Sequence, residues 1–237
     1  MRRPIPAPLR PAATAARRRF LRASAGLGSL AASGSAVLGS ATLAGAPRAA
    51  FARGRDHIEL DPPVKTRDPS RVEVLEFFWF GCPHCYAFEP AIDDWAASKP
   101  DYVDFVREAP PLNPSWEQHS RAFYAAEILR ITDGMFDATF DRIHRDGKPL
   151  RDPARIVEFV ESLDLGVDAG TFRKTMDSFA VETALRRSVG LARGANVTGV
   201  PSILINGKYL TGNSLAGSHA GIIDVIDRMA AEEHAAS

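Results

Sequence analysis

The chain has 237 residues, 45% hydrophobic, 24% charged and 8% aromatic, which excludes a disordered tail, a collagen-like fibre and a multi-span membrane protein. Its 29 basic and 29 acidic residues cancel, but eight arginines and no acid lie in the first 52 positions, leaving 21 basic against 29 acidic residues in the other 185. That acidic remainder makes nucleic acid and anionic membranes poor partners, and two cysteines exclude a disulfide-stapled scaffold and a four-thiolate zinc site.

Residues 1–52 read as an export signal. Met1 to Arg22 is basic and holds Arg17-Arg18-Arg19-Phe20-Leu21-Arg22, and Ala23 to Pro47 is uncharged and mostly Ala, Gly and Ser. Ala44-Gly45-Ala46 and Ala50-Phe51-Ala52 both have the small-x-small form that signal peptidase reads. Cleavage after Ala52 is expected, because Pro47 sits just past the first candidate. The uncharged run is about 20 residues, enough for a transmembrane anchor. Its side chains are too small to insert strongly, so the mature form is expected to be free of the membrane. The arginine pair followed by x-Phe-Leu resembles a twin-arginine signal, and the weak hydrophobicity and Arg48 favour that route over the general secretory one.

Arg53 to Ser70 is polar and proline-bearing, with an alternation at His57-Ile58-Glu59-Leu60 that suits an edge strand. Val72 to Phe80 is apolar on both faces, the pattern of a central strand covered by helices. Cys82 to about Lys99 reads as a helix, with Pro83 at its start and Pro100 past its end, and Tyr102 to Val106 as a second strand, completing a βαβ unit. Pro110 to Pro114 is a loop, followed by about 80 residues of helical signal. Ser115 with Gln118 resembles a capping box. Asp152-Pro153 supplies an N-cap and first-turn proline for a helix with Ile156, Phe159, Val160 and Leu163 on one face. Another helix is expected over Thr183 to Arg193, closed by Gly194. Ile203-Leu204-Ile205 and Tyr209-Leu210 flank Asn206-Gly207, a hairpin signal, and a last helix is expected from Gly217 to about Glu233.

Both cysteines fall in Cys82-Pro83-His84-Cys85, directly after the buried strand and at a helix start. There the unpaired N–H groups and the positive end of the helix dipole stabilise an anion on the first sulfur. The thiolate is the reactive species, and a lower pKa makes it a better leaving group. A protonated His84 adds positive charge. A structural disulfide is an alternative, though so short a loop removes little chain entropy. Half a metal site is another, but no second Cys-x-x-Cys or His-x₃₋₅-His completes it. Two inert buried thiols remain a third. Glu76, inside the apolar strand, is expensive to bury as a carboxylate. It could relay the proton of Cys85, or form a salt bridge to Arg107 on the neighbouring strand, and the two roles are compatible.

Leu75-Glu76-Phe77-Phe78-Trp79-Phe80-Gly81-Cys82-Pro83-His84-Cys85-Tyr86-Ala87-Phe88-Glu89 resembles the active-site segment of DsbA-type periplasmic thiol:disulfide oxidases. Gly199-Val200-Pro201 resembles their loop ending in a cis-proline, and Ile205-Asn206-Gly207-Lys208-Tyr209 the hairpin after it. The resemblance implies an α/β, thioredoxin-like fold with a helical domain inserted between its βαβ and ββα halves. The boundaries would be 53–113 for the first half, 114–196 for the insertion and 197–237 for the second half. It implies that Cys82 is the exposed sulfur forming the mixed disulfide with substrate and Cys85 its buried partner. His84 would destabilise the oxidised state, Glu76 would be the buried acid beneath the cysteines, and Val200-Pro201 would bind an extended substrate peptide. The implied activity is donation of the Cys82–Cys85 disulfide to exported proteins with free thiols, in the periplasm, by a monomer needing no cofactor or metal. A DsbB-type inner-membrane partner would reoxidise it. The rivals are a disulfide isomerase or reductase and a non-redox peptide-binding chaperone module. The isomerase is disfavoured because Arg53–Ser70 gives only 18 residues before the central strand, too few for a dimerisation domain.

Departures from the family pattern are the twin-arginine-like leader, the aromatic approach to Cys82 formed by Trp79 and Phe80, and the loop at Pro110 to Pro114. His57, His119, His144, His219 and His234 lack ligand spacing and are expected at the surface or in packing. Trp95 and Trp116 read as packing residues, Asp93-Asp94 as the solvated face of the first helix, and Ser214 and Ser218 lack a nucleophile-elbow context.

Overall fold

The structure, a computed structural model, describes residues 56–237. The export signal and its cleavage position lie outside the described residues. In chain order the elements are β1 (Ile58–Glu59), β2 (Val72–Phe77), α1 (Pro83–Ser98) and β3 (Val103–Glu108), then α2 (Glu117–Leu129), α3 (Thr132–His144), α4 (Pro153–Ser162), α5 (Ala169–Met176) and α6 (Phe179–Gly194). They end with β4 (Ser202–Ile205), β5 (Tyr209–Gly212), α7 (Asn213–Ala216) and α8 (His219–Ala235). The sheet order is β1-β5-β4-β2-β3, with β2 parallel to β3 and the other pairs antiparallel. The βαβ and ββα halves therefore meet at β2·β4, and the helices α2–α6 separate them in sequence, as the resemblance implied.

β2 is buried along its whole length because helices cover both faces of the sheet. Val72 and Val74 pack with Phe88, Ile92 and Trp95 of α1 and with Ile222, Val225 and Ile226 of α8. Leu75 and Phe77 face the other way, onto Leu204, Leu210 and Ala192 of α6. This period-two alternation sends Glu76 to the α1 side, and the register places it opposite Arg107 of β3. Beyond β2, Phe78 turns into the helical insertion, with ring centroids 5.0–6.1 Å from Phe80, Phe123, Phe136 and Phe140. At the hairpin, Asn206 and Gly207 both have positive φ (48° and 68°) and the Lys208 N–H donates to the Ile205 carbonyl at 2.9 Å, the turn expected of Asn-Gly.

Several boundaries differ from the sequence reading. The central strand ends at Phe77, because Phe78 to Phe80 leave the sheet for the insertion's core, whereas β3 runs on to Glu108. There is no capping box at Ser115. Asn113 caps a short 3₁₀ turn, Pro114–Trp116, accepting from the Ser115 N–H and hydroxyl, and α2 starts only at Glu117. α6 begins four residues before the expected Thr183, capped by Ser178, whose hydroxyl accepts the Val181 N–H; Gly194 is its last residue, followed by Ala195 as the cap. The final helix starts at His219, capped by Ser218, because Gly217 adopts φ 77° and closes α7 instead. Asp152 caps α4 as expected, accepting from the Ala154 and Arg155 N–H groups.

Candidate active site

The chain leaving β2 reverses through Trp79-Phe80-Gly81, and the Cys82 N–H donates to the Trp79 carbonyl at 2.9 Å. Cys82 is extended (φ −88°, ψ 116°) and caps α1, its Sγ accepting the Cys85 N–H at 3.4 Å. Pro83, at the first helical position, has no N–H to leave unpaired. Both cysteines are free thiols. The Cys82 thiol is lowered to about 6 by hydrogen bonding from the Cys85 thiol, reinforced by the backbone N–H groups of Cys85 and His84 and the charge of His84, and opposed by burial. Burial pushes the Cys85 thiol far upward, and the charges of Cys82 and Glu76 push it further. Cys82 keeps 7% exposure and Cys85 none, so the expected exposed sulfur is largely covered, with only its edge open.

The Val200–Pro201 bond is cis, as the resemblance implied, and the Val200 carbonyl lies 3.5 Å from Cys82 Sγ. His84 is exposed on the rim of a groove of about 370 Å³ that Val200, Pro201, Ser202, Gly212 and Leu215 also line. Phe80 does not form part of an aromatic approach to Cys82. It is 1% exposed and packed in the insertion's core, and the Trp79 ring stacks on Trp116 at 4.5 Å.

Glu76 is fully buried on the α1 face of the sheet, and the expected salt bridge forms: Arg107 Nε donates to its Oε2 at 3.0 Å. Its Oε1 has no hydrogen-bond partner, and burial raises its carboxyl against the opposing pull of Arg107. The Arg107 guanidinium, 4.4 Å from the Phe136 ring centroid, also donates to Glu89 Oε2 at 2.8 Å and Asp93 Oδ1 at 2.6 Å. Asp93 is therefore not merely solvated. Glu89 is raised to about 9 by burial and by the charge of Glu76. The sequence reading missed Glu89 and Asp93 as members of this group. Their spacing at i+4 and i+8 from Cys85, on one face of α1, is the signal that could have found them.

The histidines behave as packing groups. His144 Nε2 contacts the Phe80 carbonyl at 2.7 Å while its ring stacks on Tyr86, and buried His119 sits 3.1 Å from the carbonyls of Pro149 and Leu150. Trp95 is buried and donates to Asp227 at 2.7 Å. Among the described residues no cluster of His, Cys, Asp and Glu is arranged to hold a metal.

A family model of the DSBA-like thioredoxin domain matches residues 73–217. The thiol:disulfide interchange protein DsbA of Pseudomonas aeruginosa is 35% identical over 204 residues, 85% of this chain and 96% of that protein. That of Pseudomonas syringae pv. tomato is 36% identical, covering 78% and 85%. The crystal structure of Pseudomonas aeruginosa DsbA superimposes with a TM-score of 0.72 at 36% identity, over 77% of this chain and 94% of that one. With a cysteine pair of opposed ionisation at the start of a helix in this fold, the chain belongs to the DSBA-like thioredoxin-domain family and is a thiol:disulfide oxidoreductase.

Proposed function

We propose that the protein donates a Cys82–Cys85 disulfide to exported proteins that carry free thiols. The observation that carries this reading is the opposed displacement of two thiols one helical turn apart, Cys82 down to about 6 and Cys85 upward. A substrate thiolate attacks Cys82 Sγ. The Cys82–Cys85 bond breaks, and Cys85 Sγ leaves with the electron pair and takes up a proton. Glu76, its carboxyl raised by burial, is the residue we assign to supply that proton, and it takes up a replacement from solvent. A second substrate thiolate then attacks the substrate sulfur of the mixed disulfide, and Cys82 leaves as a thiolate that the α1 N-terminus and His84 stabilise. The substrate gains a disulfide and the protein gains two electrons and one proton, so a reoxidant is required. We assign that step to an inner-membrane partner of the DsbB type.

Val200 and Pro201, beside Cys82, are the residues we assign to the extended substrate segment. The leader, residues 1–52, and the thiol:disulfide interchange activity of the relatives support the periplasm as the site of action; no helix of the described residues is long and apolar enough to cross a membrane. Segments 53–113 and 197–237 would form the thioredoxin-like unit of a monomer and 114–196 its helical insertion.

The test is the redox equilibrium of the protein against a glutathione series, followed by Trp fluorescence. A potential clearly more oxidising than glutathione is expected. A potential at or below that of glutathione would mean the disulfide is too stable to give away, making the protein a reductase or isomerase.

A further inference from the structure

Between β2 and Cys82 the chain turns through Phe78, Trp79, Phe80 and Gly81, and all but the glycine have side chains that anchor them. Phe78 and Phe80 are buried in the insertion's core, and the Phe80 carbonyl also lies 2.7 Å from His144 Nε2 of α3. Gly81 lies against the Trp79 indole. A Cβ added to Gly81 would stand 2.3 Å from Trp79 Cζ2 and 2.6 Å from Cε2 and Cη2, where an ordinary carbon contact is about 3.5–4 Å. Distances so alike to three neighbouring ring atoms place that point over the ring face, so the glycine backbone rests on the indole. The indole is held in turn by the insertion. Trp116 stacks on it with centroids 4.5 Å apart and planes 7° from parallel, and the His119 ring packs at 5.9 Å. Trp79 Nε1 is buried without a hydrogen-bond partner, so stacking and not hydrogen bonding sets the orientation of the ring. Trp116 is itself fixed: its N–H donates to the Asn113 carbonyl at 2.9 Å and its carbonyl accepts the Ser120 hydroxyl at 3.3 Å.

We infer that Trp116 is a positioning residue for Cys82, acting through the Trp79 ring and the Gly81 backbone; the inference rests on Cys82 as the reacting sulfur of the thiol-exchange reading. The path is short. Trp79 grips the turn twice, through its ring at Gly81 and through its carbonyl, which accepts the Cys82 N–H at 2.9 Å. The Cys82 sulfur accepts the Cys85 N–H at 3.4 Å and lies 3.5 Å from the Val200 carbonyl, two contacts with little to spare. A small rotation of the backbone at Gly81 moves Sγ away from the N–H groups that stabilise its thiolate, or towards a carbonyl oxygen that repels it. With Trp116 in place the ring blocks that rotation, because the Gly81 backbone is already in contact with it. The insertion thereby helps set how well Cys82 leaves, through a side chain that takes no part in the exchange.

Trp116→Leu keeps apolar bulk and removes the planar partner, whereas Trp116→Phe keeps a planar partner. In the full chain, ultraviolet thiolate absorbance follows the titration of Cys82, thiol alkylation across a glutathione series gives the redox equilibrium, and thermal unfolding gives stability. Trp116→Leu should raise the Cys82 midpoint from about 6 by about half to one pH unit, and weaken the protein as an oxidant at pH 7 by about two- to sixfold. Trp116→Phe should restore most of both. Gly81→Ala, which displaces the ring from its contact with the turn, should shift both in the same direction, and it decides the matter if the leucine variant does not fold. A leucine variant that unfolds at lower temperature yet keeps the midpoint and the equilibrium would make Trp116 a packing residue and overturn the inference, leaving thiol exchange standing. A phenylalanine variant as altered as the leucine one would overturn it too. An unaltered protein whose Cys82 titrates near 9 and exchanges no disulfide with glutathione would overturn both readings.

Discussion

Cys82 and Cys85 share one turn of chain, and their different surroundings set their opposite chemistry. Cys82 Sγ faces backbone N–H donors at the open end of α1, whereas Cys85 is sealed above the Glu76 carboxyl. This has a consequence for stability that separates the two redox states. In the unfolded chain Cys82 titrates near 9, and in the folded reduced protein near 6. Folding of the reduced form therefore gains stability from the thiolate; the gain is complete above about pH 9, shrinks as pH falls and is gone below about pH 6. Cys85, displaced upward, stays protonated in the folded protein and is still mostly protonated in the unfolded chain up to about pH 8, so it adds little to the slope below that pH. Glu76 and Glu89 are present in both redox states and cancel to first order. The stability of the reduced form relative to the oxidised one should thus fall by on the order of 2–3 kcal/mol between pH 8 and pH 5. Thermal unfolding of both forms across that range measures it, and a difference independent of pH would contradict the assignment of the thiolate to Cys82. The Cys-Pro-His-Cys run and the buried Glu76 were legible in the sequence because each breaks a local pattern. Glu89 and Asp93 were not, because a carboxylate on a helix reads as solvated until a partner from another strand, here Arg107, is known to lie beneath it.

At the level of elements, hydrophobic periodicity located β2, α1, β3, the hairpin and α8, since each buries a regular stripe against the sheet. It located the helix ends less well. α2 is entered through Asn113 and not Ser115, and α6 is capped by Ser178 four residues early, because a cap depends on where the chain arrives from as well as on residue type. It also overextended the central strand, because Phe78 continues the apolar run while serving a different core. Phe78 joins Phe80 to Phe123, Phe136 and Phe140, so it carries the link from β2 to the insertion. Phe78→Ala should cost about 3–5 kcal/mol through lost burial and the cavity left behind. For a domain of this size that is a fall in Tm of roughly 6–20 °C. Phe179→Ala, at a ring that is 79% exposed, should stay within about 0.5 kcal/mol. Comparable losses at the two sites would show that the aromatic cluster is not what ties the insertion to the strand.

Across the whole molecule, the insertion is also held by a buried polar centre at the end of β3. Glu108 is fully buried and accepts from Arg67 of the segment before β2, from the Tyr124 hydroxyl of α2 at 2.7 Å, and from Arg187 of α6 at 2.7 Å. Tyr124 in turn accepts the Ala109 N–H at 3.0 Å, and the Glu108 carbonyl accepts the Phe78 N–H at 3.0 Å. One carboxylate therefore gathers the N-terminal segment, the sheet and two inserted helices at the strand end that leads into the active-site turn. The cost of breaking this centre depends on which side is cut. Arg67 and Arg187 are 39% and 46% exposed, so solvent screens each ion pair, and loss of one arginine leaves the buried Glu108 paired with the other and with the Tyr124 hydroxyl. Arg187→Ala should cost about 1 kcal/mol or less. Glu108→Ala leaves the buried Tyr124 hydroxyl without its acceptor beside a new cavity and unlinks both arginines from the strand, and should cost about 2–4 kcal/mol. Glu108→Leu combined with Tyr124→Phe removes the buried polar pair while filling the space, and should recover part of that loss. Urea denaturation of the three variants orders them. If Arg187→Ala proves as damaging as Glu108→Ala, the centre acts through a single ion pair, and the insertion is anchored by charge at the surface and not by a shared buried acceptor.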